Sequence, residues 1–441
     1  MPSLSVLTRD LRIADNPLLS VGTGDVVPLF VHDRAISDRH HSPNREAFLA
    51  ESLADLAVGM SELGTSLVYR SGPWLDTVLE VAQEAGATDI HIARDVSEFA
   101  QRRLRDLVEA SHLPVVVHES ITVVPPDVLA PQGGDFYQVF TPWFRRWLEH
   151  PWRTPVGPPA ALASHPVASD PLPLSDPLAE SVGTSPQRLR GGESEARARL
   201  MHWLPRSRTY GDTRDALGTN GTSMLSADLH FGTLSPLEVA VAALELGADA
   251  FVRQIGWRDF NHQVLFNRPQ ASRLDYRQGN PIWNADEQGF NAWTNGTTGY
   301  PVVDAAMRQL RATGWMHNRA RMIAASLLTK DLMVDWRRGA RWFMTWLTDG
   351  DVANNQLGWQ WVAGTGTDTN PTRIFNPTTQ SKRFDGSGTY IRAWVPELAD
   401  VDTDDIHDPA PLTRAATGYP LPIVDHKEAI RSFKDARGYK R

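Results

Sequence analysis

An N-terminal α/β domain on a doubly wound parallel sheet, followed by an all-α C-terminal domain, is the fold class this sequence predicts, and three observations predict it. Short β-branched runs alternate with helical stretches from Ser3 to about Val124. Proline-rich, aperiodic sequence follows as far as about Gly192. Beyond Glu193 the spacing is amphipathic and helical, and no strand pattern recurs. At 441 residues with 41% hydrophobic side chains, the chain exceeds the roughly 250–300 residues that one core usually serves. Two domains are therefore expected, over 1–130 and 193–441, joined by a connection over 131–192.

Strands are predicted over 5–8, 26–31, 66–69, 89–93 and 114–118, with helices beginning near Asn44, Pro73 and Ser97. The first strand runs into Thr8-Arg9-Asp10-Leu11-Arg12 rather than a glycine fingerprint, which argues against a dinucleotide site there. In the connection, Pro151, Pro155, Pro158, Pro159, Pro166, Pro171, Pro173 and Pro177 interrupt any period, so it reads as mostly irregular. Amphipathic helices follow over 235–246, 250–266, 300–313, 319–330 and 339–347.

Composition narrows the chemistry. A net charge of −8 advertises no global affinity for polyanions, so such a partner must be met locally. The absence of cysteine excludes disulfides, thiolate metal sites, iron–sulfur clusters and a cysteine nucleophile. No apolar run approaches the ~20 residues that span a bilayer, and the N-terminus has no basic leader, so a cytoplasmic protein without a membrane is expected. Nine of the fifteen tryptophans fall between Trp257 and Trp361, which by itself reads as a large aromatic core.

Three segments could carry chemistry. Gly218-Thr219-Asn220-Gly221-Thr222-Ser223-Met224-Leu225-Ser226 places glycines and hydroxyls ahead of a helix, which suits either a phosphate or a plain helix cap. Trp315-Met316-His317-Asn318-Arg319-Ala320-Arg321-Met322 brings Asn318, Arg321 and Met322 within a turn, with Arg319 pointing elsewhere. It lies in a stretch, 306–345, with eight Lys/Arg against two Asp/Glu, where Trp315, Trp336 and Trp342 are interleaved. Asp349-Gly350-Asp351-Val352-Ala353-Asn354-Asn355-Gln356-Leu357-Gly358-Trp359-Gln360-Trp361 fails as a calcium loop, since Gln360 stands where a bidentate glutamate belongs. Asp349 or Asp351 is expected to pair with Arg321 instead. No Walker lysine, H-E-x-x-H or G-x-S-x-G elbow occurs, and His40-His41 reads as a solvated pair, so no metal is expected.

Taken in order, these segments resemble the DNA photolyase and cryptochrome family, in particular its class I cyclobutane pyrimidine dimer photolyases. The likeness runs from Arg9-Asp10-Leu11-Arg12 and Asp15-Asn16 to about His426. It is densest in Gly299-Tyr300-Pro301-Val302-Val303-Asp304-Ala305-Ala306-Met307-Arg308-Gln309-Leu310, the Trp315 segment, Trp359-Gln360-Trp361 and Gly364-Thr365-Gly366-Thr367-Asp368. The resemblance implies an antenna-type α/β domain and a helical domain holding FAD in a folded U. Tyr210, Thr222, Ser223, Met224, Leu225 and Ser226 would then surround the pyrophosphate. Arg258, Asn318, Arg321, Asp349, Gly350 and Asp351 would line the flavin and its adenine arm, with Asn355 beside flavin N5.

The resemblance also assigns Trp359, Trp336 and Trp283 to a photoreduction chain and Trp257 and Trp361 to the cleft for a flipped-out dimer. Asn318 and Met322 match the dimer-repair subfamily, and Arg214 and Arg319 would hold DNA phosphates. The implied reaction is light-driven repair of pyrimidine dimers in DNA by a monomer. Two positions depart from the family: Gln254 replaces a glutamate at the repair site, and Met224 replaces an arginine in the phosphate loop. Both predict weakened repair and favour the alternative of a blue-light receptor or redox flavoprotein without it. The resemblance leaves the antenna chromophore open between a folate and a deazaflavin: Glu98 stands where folate-binding members use a glutamate, but no lysine near Phe266-Asn267-Arg268-Pro269 matches their second contact.

Overall fold

The computed structural model describes residues 1–20, 25–33, 35–36, 41–173, 183–277, 279 and 281–438; His40 and Pro177 lie outside them. Strands β1 (Ser3–Leu7), β2 (Val26–His32), β3 (Val68–Ser71), β4 (Ile90–Ala93) and β5 (Val115–His118) form one parallel sheet in the order β3-β2-β1-β4-β5. Leu4 pairs with Val27 and Ile90, and Val6 with Leu29 and Ile92, so β1 is the central strand. All four of its partners are buried, as a sheet covered on both faces requires. Helices α1 (Pro43–Glu62), α2 (Trp74–Ala85) and α3 (Glu98–Ala110) are the crossovers.

The strand order reverses between β1 and β4, the place where doubly wound sheets usually take a ligand. Here Arg9, just beyond β1, ion-pairs with Asp95 at 3.3 Å, just beyond β4, and crosses to Asp351 of the helical domain at 2.5 Å. The close approach is permitted by Gly232, at φ +71°, where a Cβ would lie 1.9 Å from the Arg9 carbonyl.

The connection differs from its sequence reading in one respect: it contains a helix, α4 (Phe140–Glu149). Its Phe140, Trp143, Phe144 and Trp147 follow an i, i+3, i+4, i+7 pattern and are all buried, and that apolar stripe holds the helix against its neighbour despite the prolines around it.

The helical part comprises α5 (Glu193–Trp203), α6 (Tyr210–Thr213), α7 (Ser226–Phe231), α8 (Pro236–Glu245), α9 (Asp249–Asn267), α10 (Glu287–Asn295), α11 (Pro301–Thr313) and α12 (Asn318–Ser326). After these come α13 (Trp336–Trp346), α14 (Val352–Ala363), α15 (Pro377–Phe384), α16 (Thr389–Trp394), α17 (Pro411–Thr417) and α18 (His426–Ala436). One core centres on Trp293, Trp336, Phe343 and Trp359, and a second on Trp143, Trp147, Trp203 and Phe260.

The helix predicted over 319–330 widens after Ser326 into a π turn, Leu327–Asp331. This turn buries Lys330, whose Nζ donates to the Pro371 carbonyl at 2.7 Å and lies 4.5 Å from the centre of the Phe433 ring. Burial, and then the neighbouring Arg437, push its ammonium from an ordinary 10.5 down to about 7, against Asp368. Between those values the unfolded chain binds a proton that the folded chain has released, so stability rises with pH across this window. The urea midpoint is expected to climb from pH 7 to about pH 9.5, and Lys330→Met to flatten the climb and raise the neutral-pH midpoint. Parallel pH profiles for the two proteins would refute this.

Candidate active site

The glycine-hydroxyl loop sits between α6 and α7. Thr213 Oγ1 donates to the Gly221 carbonyl at 3.2 Å, folding the loop back on α6. Leu225 is buried, and its N–H donates to Ser223 Oγ at 3.4 Å. Met224 adopts φ +55°, a left-handed conformation that costs a residue with a Cβ roughly 1–2 kcal/mol. Ser226 Oγ is buried with no hydrogen-bond partner in the protein.

Helix α12 starts at an N-cap, His317, whose side chain accepts from Arg319 N–H at 3.1 Å. Arg321 Nη2 meets Asp349 Oδ2 at 2.8 Å, which resolves the expected pairing in favour of Asp349. The other oxygen, Asp349 Oδ1, is buried without a partner. Arg319 does not point away as the spacing suggested: Asn318 Nδ2 and Arg319 Nη1 each lie 3.8 Å from Met322 Sδ. Met322 is three residues on and so a neighbour on the helix surface, and Asp215 at 2.8 Å and the Phe384 ring at 4.4 Å hold the guanidinium there.

Asp351 caps α14 by accepting from Asn354 N–H at 2.8 Å. Besides Arg9, it faces His262 Nε2 at 3.5 Å and His230 Nδ1 at 3.8 Å. Burial alone would raise its pKa, but His262, Arg9 and His230 outweigh burial and hold the carboxyl well below the usual range. Gly350 between the two aspartates is buried against Arg45. Asn355 donates from Nδ2 to the Ala340 carbonyl at 3.1 Å, which fixes the orientation of its amide.

Of the three tryptophans expected to form a chain, two are buried and one is half-buried. Trp359 is 3% exposed and packs edge-on against Phe343 at 4.9 Å. Its ring rests on Gly339, where a Cβ would stand 2.2 Å away, one turn along α13 from Trp336. Trp336 is fully buried and donates from Nε1 to Asp275 at 2.8 Å. Trp283 is half-buried beneath the Arg437 guanidinium at 4.5 Å. The adjacent Asn284 bonds to the Met333 carbonyl at 2.6 Å, tying this segment to the entry of α13.

Trp257 lies flat against Phe140 of α4, with ring centres 3.7 Å apart and planes 6° from parallel. On the same helix, α9, Gln254 is half-buried. Trp361 is half-buried with Arg373 5.1 Å above its ring. Arg258, expected along the flavin, directs Nη1 to the Ile121 carbonyl at 2.7 Å and Nη2 to that of Leu229 at 3.0 Å. A buried guanidinium needs several acceptors, and backbone carbonyls supply them here. Tyr210 packs edge-on against Trp203 and Phe251 at the base of α6, and Arg214 caps that helix.

Composition and spacing alone did not bring out Arg9, His230, His262 or Phe140; of these only Phe140 carried a local signal, the period of α4. A further cavity of about 630 Å³ opens near the carboxyl ends of β2 and β3, lined by Asp33, Ser71, Trp74, Phe99 and Arg103. Glu98, which stands where folate-binding members use a glutamate, ion-pairs with Arg273 at 2.9 Å. Among the described residues no cluster of three metal-binding side chains occurs and no helix is long and apolar enough to cross a membrane.

Residues 3–161 match the family model for DNA photolyase, and residues 251–438 match that for the FAD binding domain of DNA photolyase. A deoxyribodipyrimidine photo-lyase from Streptomyces griseus is 49% identical over 98% of both chains. The structure of a bacterial class III photolyase from Agrobacterium tumefaciens superimposes with a TM-score of 0.89 at 32% identity, covering 99% of this chain and 97% of that one. An archaeal photolyase from Sulfolobus tokodaii, solved with two FAD molecules, gives 0.86 at 30% identity over the whole of both chains.

Proposed function

The chain belongs to the DNA photolyase and cryptochrome family, and on that footing we propose that it is an FAD-dependent deoxyribodipyrimidine photo-lyase acting on cyclobutane pyrimidine dimers in DNA. The observation that carries the proposal is a pair of buried oxygens, Ser226 Oγ and Asp349 Oδ1, without partners in the protein. Buried polar atoms rarely go unpaired, and both stand among the residues that match the family's cofactor site. A hydrogen-bonding ligand such as FAD fits that donor and acceptor set.

Bound and reduced, FAD supplies on excitation the electron that splits the dimer and then recovers it. The protein binds and orients. Tyr210 and the Thr222, Ser223 and Ser226 hydroxyls would hold the pyrophosphate, with the backbone at Met224 and Leu225 shaping the loop. The Arg321–Asp349 pair and Asp351 would line the ring system beside Gly350. Asn355, its amide already fixed by Ala340, would present its carbonyl oxygen toward N5. Arg258 would act at one remove, bracing the segment at Ile121. Trp257 and Trp361 would take the flipped dimer between aromatic faces while Asn318, Met322 and Gln254 offer its polar edges. Arg214 would contact the strand's phosphates, and Arg319, neutralised by Asp215, mainly positions Met322. Trp359, Trp336 and Trp283 would return electrons to an oxidised cofactor.

Gln254 keeps a hydrogen bond but not a charge, so its cost is bounded by one charge-assisted bond, roughly 1.5–3 kcal/mol. Wild type is therefore expected to repair a thymine-dimer oligonucleotide under blue light slowly but measurably. The double variant Gln254→Glu/Met224→Arg should be clearly faster at unchanged FAD content; Arg at 224 inherits the same left-handed backbone, so loop strain is not altered. A wild type that photoreduces its FAD and binds dimer DNA, while neither it nor the double variant repairs it, would favour the receptor reading.

For a second chromophore, the cavity by β2 and β3 is the site we favour. Arg103 lies 4.3 Å from Phe99 and 5.0 Å from Trp74, so its walls suit a flat conjugated ring. With Glu98 engaged by Arg273, a deazaflavin or second flavin fits better than a folate.

A further inference from the structure

Arg253 precedes Trp257 by one turn on α9, and both side chains engage α4. The Arg253 guanidinium lies 4.7 Å from the centre of the Phe140 ring and 5.0 Å from that of Phe144. Phe140 is the ring stacked on Trp257, and it lies 5.3 Å from Phe144. Between them on α9, Gly256 has no side chain; a Cβ there would come within 2.6 Å of Phe144, so this glycine lets α4 seat itself on the arginine and the tryptophan together.

Unlike Arg258, Arg319 and Arg321, Arg253 has neither an ion pair nor a side-chain hydrogen bond among the described residues, and the one charge that weighs on it is Arg214. Burial first and Arg214 second lower its pKa. The geometry explains the proximity. Helix α6 rests on the start of α9, where a Cβ at Gly211 would lie 3.5 Å from Ala250. Arg214 and Arg253 are each three residues further along their helices. Two like charges near each other, neither in an ion pair among the described residues, repel until an anion joins them. A guanidinium already stacked on rings loses little freedom on binding, and its fork matches a phosphate.

We propose that Arg253, beside Arg214, binds a backbone phosphate of the damaged strand, and that the Arg253–Phe140–Trp257 stack couples this phosphate contact to the platform that receives the dimer. The proposal rests on the photo-lyase reading. Dark binding to a duplex carrying one thymine dimer, followed by fluorescence anisotropy over a range of salt, tests it. For Arg253→Gln the slope of log affinity against log salt should become shallower by about 0.9, one phosphate's worth. Arg253→Lys should keep the slope while binding more weakly than wild type. Arg105→Gln, exposed on α3, should change neither. Flavin absorbance reports that each variant is folded. An unchanged slope for Arg253→Gln, or equal losses of slope for the Gln and Lys variants, would overturn the phosphate contact and leave a packing role. A wild type with no salt-dependent affinity for dimer DNA would overturn the photo-lyase reading itself.

Discussion

Trp359→Phe will remove nearly all blue-light reduction of the bound FAD while leaving the amount of FAD unchanged. Electron hopping needs an oxidisable ring at each step, and phenylalanine is far harder to oxidise than tryptophan. Trp359 is buried on the helix that carries Asn355, and Gly339 is what allows its ring to lie one turn from Trp336. The matched control is Trp293→Phe. Trp293 is as buried as Trp336 and contacts Trp359 at 5.9 Å, but its Nε1 donates to the Ala324 carbonyl in the core. It offers a neighbour to Trp359 without an exit to the surface. Bleaching of the flavin absorbance under blue light with an external reductant measures both variants. Equal photoreduction in the two would return all these tryptophans to core packing.

Asp351→Asn should destabilise the protein by roughly 3–5 kcal/mol at neutral pH, because it leaves Arg9 buried with less counter-charge. Asparagine can still cap α14, so the substitution isolates the charge from the cap. Asp95 still faces Arg9, which sets the effect toward the lower end of that range. The pH dependence has a definite sign. The folded carboxyl titrates well below the unfolded one, so its contribution is present above about pH 4 and is lost only as acid reaches the folded pKa. The gap between wild type and variant should therefore be wide at pH 7 and close in strong acid. A loss below about 1 kcal/mol for Asp351→Asn would show the cluster to be solvated rather than buried.

The sheet was legible because five strands alternate with helices at close spacing, and each predicted strand is displaced by no more than two residues at either end. Helix α4 was not read, although Phe140, Trp143, Phe144 and Trp147 spell its period; the prolines on one side outweighed a pattern that spans a single short helix. Within the site, the pairing of Arg321 with Asp349 could be narrowed to two candidates from charge alone. The partner of Asp351 could not, since nothing local links it to Arg9 or His262. Arg319 was misjudged for a different reason: Met322 is three residues on, and i, i+3 side chains are neighbours on a helix, so the spacing itself places Arg319 beside it. The contact between Trp257 and Phe140 joins helices more than a hundred residues apart and has no signature in a single sequence.

The bond from Arg9 to Asp351 also spans time. The two residues are 342 positions apart, so a ribosome adding roughly 5–20 residues per second completes the second roughly 17–70 s after the first. Through that interval the nascent sheet has its strands and its crossover helices, but its central guanidinium has only Asp95 to face. Sealing the crevice between β1 and β4 before α14 emerges would bury that cation with one of its two carboxylates missing. The charge balance at the centre of the sheet is thus completed only by a carboxylate from the final quarter of the chain.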